Sequence, residues 1–294
     1  MASRAVVVGF DDSARARRAV LWATREASSR GCALLIVHVL REPTPQLVYI
    51  PITTPLPEIV GEDAVRAHAE SELSALVAEC ERMCPDVDIE TSLSFGHPTE
   101  VLSQVGADAE LVVLGPSGRT GLARALLGST TAHLVKTSTR PIVVVRDGLT
   151  DGGRVVVGVD GSPSSIKAIE FAFEFADRRG GDLIAVHAWS DLPVDALAPV
   201  RVWDYDWRQV RSQAEDMIER CLEEPRRAHP DVRVERVVSF EGPAHALLEE
   251  ARDAALLVVG SHGRGTLRRA FLGSVSHAVL YHAPCTLAVV RVED

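Results

Sequence analysis

Two glycine stretches at one spacing, one in each half of this 294-residue chain, constrain its fold more than any other feature. Gly115-Pro116-Ser117-Gly118 follows the apolar run Leu111-Val112-Val113-Leu114, and nine residues separate it from Gly128-Ser129. Gly260-Ser261-His262-Gly263 follows Leu256-Leu257-Val258-Val259, and nine residues separate it from Gly273-Ser274. The surrounding sequence repeats as well. Gly158-Val159-Asp160-Gly161-Ser162 matches Gly9-Phe10-Asp11-Asp12-Ser13 at an offset of 149, which also pairs His38 with His187. From Pro85 and Pro230 to Arg146 and Arg291 the offset is 145. The difference falls in the proline-rich segment 42–61, where a change of loop length costs little. So regular a repeat means two copies of one domain, placed at 1–147 and 153–294, with a glycine-containing linker between them.

Within each copy, short apolar runs alternate with helical patterns. Residues 5–9 read as a strand buried on both faces. Ser13 is placed to cap the helix that follows, and Gly31 to close it. A second strand covers 34–39, a helix 62–84 and a third strand 87–94. Pro98 stands near the start of another helix, and a fourth strand covers 111–114. Residues 122–137 read as helical, with Ser129 and Ser274 opening a helix segment or sitting in its first turn. A fifth strand covers 141–145. This alternation predicts two tandem, doubly wound, Rossmann-like α/β domains, each an open parallel five-stranded sheet ordered 3-2-1-4-5. The topological switch then lies between strands 1 and 4, where Asp11 or Asp160 and the glycine stretch converge. Exposed backbone N–H groups near a helix N-terminus suit phosphate there.

The net charge of −10 argues against a nucleic-acid partner, which needs a basic surface. No apolar run approaches a membrane span, and strand-like sequence begins too early for a signal peptide, so a cytoplasmic location is expected. Five cysteines without a C-x-x-C pair read as reduced, largely buried thiols.

The repeated G-x-x-G, nine residues and G-[ST], with the Asp ending strand 1 and the His of strand 2, resembles the universal stress protein family in its tandem, ATP-binding form. That resemblance implies a nucleotide sensor or regulator of the stress or dormancy response, binding ATP with Mg2+. By the same resemblance, ribose falls to Asp11 and Asp160, and adenine to the backbone at Val39 and Ala188. The phosphates fall to Gly115, Gly118, Gly128, Ser129 and Thr130 in the first domain. In the second they fall to Gly260, Gly263, Gly273, Ser274 and, through its backbone, Val275. Pro116 has no N–H to offer a phosphate, so the first site is expected to be the weaker.

Other readings of the same residues compete. Asp11 and Asp160 also read as mere caps of the first helix, a role for which Ser13 and Ser162 compete. Asp12, whose counterpart is Gly161, reads as a bystander, and His38 and His187 as satisfied core histidines. Arg119 and Arg264 either reach phosphate or face solvent, and Trp203, Tyr205 and Trp207 form a loop cluster. There is no G-K-[ST], and neither lysine (Lys136, Lys167) lies near a site. No catalytic residue or metal site is assigned, so the expectation is no enzyme, or at most slow ATP hydrolysis. A nucleotide-independent scaffold stays open. A phosphoacceptor domain is excluded, because Ser94-Phe95-Gly96 and Arg146-Asp147 stand where its Asp and Lys belong. The apolar fifth strands are sheet edges that need cover, which predicts that the two domains pair them about a pseudo-twofold axis. The acidic remaining surface leaves room for a homodimer.

Overall fold

The computed structural model describes residues 5–40, 62–117, 127–146, 153–188, 207–263 and 272–292. The first half runs β1 (Val6–Phe10), α1 (Ala14–Arg30), β2 (Leu34–Leu40), α2 (Glu62–Met83), β3 (Ile89–Phe95), α3 (Pro98–Gly106), β4 (Leu111–Leu114), α4 (Ser129–Thr137) and β5 (Ile142–Val144). The second half repeats the order: β6 (Val155–Gly158), α5 (Pro163–Arg179), β7 (Leu183–Ala188), α6 (Trp207–Ala228), β8 (Val234–Ser239), α7 (Pro243–Glu250), β9 (Leu256–Gly260), α8 (Ser274–His282) and β10 (Thr286–Val290).

The ten strands among the described residues form one sheet, ordered β3-β2-β1-β4-β5-β10-β9-β6-β7-β8. Each half keeps the predicted 3-2-1-4-5 order with parallel neighbours. The halves join where β5 and β10 pair antiparallel, Val143 opposite Ala288. Pairing hides both apolar edges at once, which is the predicted intramolecular union. One core layer lies under α1, α2, α5 and α6, the other under α3, α4, α7 and α8, and each draws residues from both halves.

The local signals act as read. Ser13 Oγ accepts the Ala16 N–H at 3.0 Å to cap α1, and Gly31 closes it at φ 62°. One expectation is corrected: Leu127 and Gly128 are not helical, and α4 starts at Ser129. Gly128 takes extended backbone (φ −67°, ψ 148°) as the N-cap, a position where glycine's weak helix propensity costs nothing. The predicted helical residues 122–126, the proline-rich segment, the linker at 147–152, Gly118, Arg119, Arg264, Trp203 and Tyr205 lie outside the described residues. So does the side chain of Trp207.

Side chains reinforce the seam. Arg146 and Arg291, equivalent in the repeat, each reach across it to a carbonyl in the last turn of the other half's final helix. Arg146 donates to Leu280 O, and Arg291 to Lys136 O at 2.6 Å, placing cations where a helix C-terminus welcomes them. Where α1 meets α5, Trp22 stacks on Phe175 with centroids 6.1 Å apart. Beside them the fully buried Glu26 carboxylate holds Arg30 of its own helix (2.6 Å) and, from α5, Arg178 (3.3 Å) and Arg179 (3.1 Å).

The thiols are free. Cys32, Cys80 and Cys285 are buried, while Cys84 and Cys221 are half-buried. Burial pushes the Cys285 thiol up to about 12 and raises Cys32 and Cys80 too. Only the thiolate reacts. Native protein at pH 8 is therefore expected to leave these three unlabelled by an aromatic disulfide reagent, while denatured protein yields all five. Rapid native labelling of Cys285 would contradict the packing.

Candidate nucleotide-binding sites

At the carboxyl ends of β1 and β4, and again of β6 and β9, the strand order reverses and leaves a crevice. The chain leaving the first strand is shaped the same way in both copies. One Asp160 oxygen accepts the Ser162 N–H at 2.8 Å, and Asp11 does the same for Ser13 at 3.2 Å. The serines cap the helices, so each Asp braces the turn through one oxygen. The other oxygen of Asp160 faces Gly263: a Cβ built there would lie 2.8 Å from it. The residue after each Asp takes left-handed backbone, Asp12 at φ 61° and Gly161 at φ 75°. Aspartate tolerates that region better than most side chains. The Asp12 carboxylate lies 3.6 Å from His38 Nδ1. Both histidines are buried, and His187 Nδ1 pairs with Val159 O at 2.7 Å, as core histidines should.

The opposite wall is the loop after β4 or β9 and the helix it leads to. Gly128 N–H donates to Pro116 O at 2.7 Å, and Gly273 N–H to Ser261 O at 2.9 Å. Thr131 Oγ1 donates to Gly115 O at 3.0 Å, and Ser276 Oγ to Gly260 O at 2.6 Å. These latches seat α4 and α8 with their first turns at the crevice. Neither helix has a side-chain hydrogen bond from its glycine N-cap. Among the described residues the first-turn amides thus have no side-chain cap, and they favour negative charge.

The lost donor expected at Pro116 is not found. In the second half the N–H at the position of Pro116, that of Ser261, is donated to Val290 O at 2.8 Å. It serves the sheet and not the crevice. Pro116 therefore costs the first half a backbone bond at the end of β5, and removes no donor from the cavity.

Each crevice is a cavity, of about 550 Å³ in the first half and 340 Å³ in the second, within the usual range for small-molecule sites of roughly 300–1,000 Å³. Asp160, Ala188, Gly260, Gly263, Gly273, Ser274 and Val275 all line the second. Asp11, Val39, Gly115, Gly128, Ser129 and Thr130 line the first. Apolar walls close the sides, Pro98 and Leu102 from α3 and Pro243 and Leu247 from α7. Sequence reasoning missed these walls and the Thr131 and Ser276 latches. A hydroxyl at the same repeat position in both halves was the available signal. It also missed the serines at the start of α5: Ser164 Oγ donates to His262 O, and Ser165 Oγ to Gly158 O at 3.2 Å.

Comparison with known proteins agrees with this architecture. The model of the Universal stress protein family matches residues 2–146 and again 153–291. A universal stress protein of Mycobacterium tuberculosis is 37% identical over 298 residues, spanning 97% of this chain and 96% of that protein. One of Mycolicibacterium smegmatis is 35% identical over 291 residues, at the same two coverages. Among solved structures, a universal stress protein of Archaeoglobus fulgidus superposes over the whole of both chains with a TM-score of 0.67, at 19% identity. At that identity the likeness speaks for the fold.

Proposed function

This chain belongs to the universal stress protein family and carries the family's domain twice, and from that premise we propose that it is a nucleotide-dependent regulator in which each cavity takes ATP. The observation that carries the reading is the recurrence of one constellation. In both halves a strand-end Asp, paired glycines and an uncapped helix start line the same cavity at the strand-order switch. A carboxylate suits ribose hydroxyls. Glycine lets backbone approach a phosphate closely, and an open helix start stabilises its charge. Apolar walls beside Val39 and Ala188 suit an adenine ring.

The residues also fit a divalent ion arriving with ATP. Mg2+ keeps phosphate oxygens and water and asks for few protein ligands, and the Ser129 and Ser274 hydroxyls are groups it accepts. With ATP bound, the strand ends and the starts of α4 and α8 would be held together, and the surface around each crevice would differ from that of the empty chain. This is the basis for a sensor in a stress or dormancy response.

Purified protein is expected to release ATP on denaturation, detected by mass spectrometry, and Asp160→Ala to reduce the amount retained to that of the first site. A chain that is empty and ignores added ATP in calorimetry would sink the reading and leave a nucleotide-independent scaffold in its place.

A further inference from the structure

Among the described residues, a charged side chain stands beside the first cavity where its repeat counterpart beside the second is neutral. Arg15, the second residue of α1, donates from Nη1 to Ser117 Oγ at 2.6 Å. Ser117 is buried and lines the first cavity. Arg15 Cβ lies 3.5 Å from the place where Gly115 would carry its own, so the side chain runs alongside the glycine stretch. Among the described residues no carboxylate pairs with it, and the Ser117 hydroxyl occupies one of its five N–H donors. Its place is also unfavourable for the empty protein, because a cation in the first turn opposes the helix dipole. The repeat counterpart is Ser164, whose hydroxyl donates to the carbonyl of His262, itself the counterpart of Ser117. The second half thus joins the same two elements without a charge.

We propose that Arg15 is a phosphate-binding side chain of the first cavity, so that one chain grips the same class of ligand in two ways. The first site adds a guanidinium to the open start of α4, where the second has the neutral Ser164. An anion there would supply the acceptor that Arg15 lacks and reverse the cost of its position. The proposal rests on the nucleotide reading above. It makes the first site the more sensitive to salt and to the number of phosphates, since charge-assisted bonds between guanidinium and phosphate are strong and screened by ions.

The test titrates ATP and adenosine by calorimetry into the full chain carrying Asp160→Ala, with Arg15 intact, Arg15→Ser or Arg15→Lys. Arg15→Ser installs the residue of the second half, and an unchanged thermal midpoint shows that the fold is kept. The expected result is a loss of about 10- to 100-fold in ATP affinity with Arg15→Ser, with adenosine changed by less than about twofold, and partial recovery with Arg15→Lys. ATP affinity should also fall more steeply with salt when Arg15 is present. Equal weakening of ATP and adenosine, or ATP binding indifferent to Arg15, overturns the proposal while the nucleotide reading stands. A chain in which neither cavity takes ATP or adenosine overturns both.

Discussion

Glu26→Ala is expected to lower the unfolding free energy by roughly 3–5 kcal/mol, the usual consequence of deleting one partner of a buried ion cluster. The carboxylate is fully buried between α1 and α5, and three guanidinium groups converge on it, two of them from the other half of the chain. Removing it leaves Arg30, Arg178 and Arg179 facing one another. Burial, then the charge of Arg30, already pull Arg178 below its ordinary value, and Glu26 is the first group to restore it. The flanking carboxylates offer less: Glu110 on Arg30 and Glu174 on Arg178 are each nearly half exposed, and exposed pairs contribute about 0–1 kcal/mol. Glu26→Gln, which keeps the size and one acceptor, should cost less. Urea denaturation measures both, and a Glu26→Ala cost below about 1 kcal/mol would show that the cluster does not hold the halves together.

The same cluster sets a dependence on pH. Burial by itself pushes the Glu26 carboxyl up, but the combined attraction of Arg30, Arg178 and Arg179 outweighs it and holds the group below the usual carboxylate range. A carboxyl depressed in the folded state contributes stability that is present above its unfolded pKa of about 4.3. That contribution is lost as pH falls through the lower folded value. Acid should therefore erode the seam below about pH 4, and in Glu26→Gln this part of the acid sensitivity disappears.

The repeat made the fold legible because it fixed the order of elements twice, and apolar fifth strands with nothing to cover them pointed to their pairing. It could not show what happens across the seam. Glu26 has Phe175 as its repeat counterpart, so the carboxylate breaks the internal symmetry and matches no motif. Two of its three partners, Arg178 and Arg179, lie about 150 residues away and meet it because β5 and β10 pair. The candidate site was legible where it depends on residue type at fixed spacing, as for Asp160 and the glycines. It was misread where a residue's role depends on which way its N–H points. Pro116 looked like a lost phosphate donor, and the direction of the Ser261 N–H, toward Val290 O, shows that there was none to lose. Arg15 escaped notice for a related reason: one arginine among several in a helix acquires meaning only from the Ser117 hydroxyl beside it.

The glycines of the two sites should also respond differently, although the motif treats them alike. A Cβ on Gly260 would lie 2.6 Å from Ser164 Oγ and 2.8 Å and 2.9 Å from the carbonyl carbon and oxygen of the same residue. The obstacle is backbone in the first turn of α5, which a rotamer change cannot clear. Gly260→Ala must therefore push β9 and α5 apart, at a cost of about 1–3 kcal/mol for overpacking. The shift also moves the turn that carries Asp160, since Ser162 and Ser164 both lean on His262 O. A ligand gripped by both walls of so narrow a cavity binds more weakly when one wall moves, because contacts on the two sides can no longer be made together. At Gly115 the same Cβ would meet nothing nearer than 3.4 Å, so Gly115→Ala should keep stability nearly intact, and a loss of first-site binding there would report crowding of the phosphate itself. Calorimetric titration of ATP into the two variants separates these outcomes. Equal losses would mean that both glycines serve backbone contact with phosphate. A loss confined to Gly260→Ala would mean that this glycine exists to let a helix approach a strand closely enough to form the site.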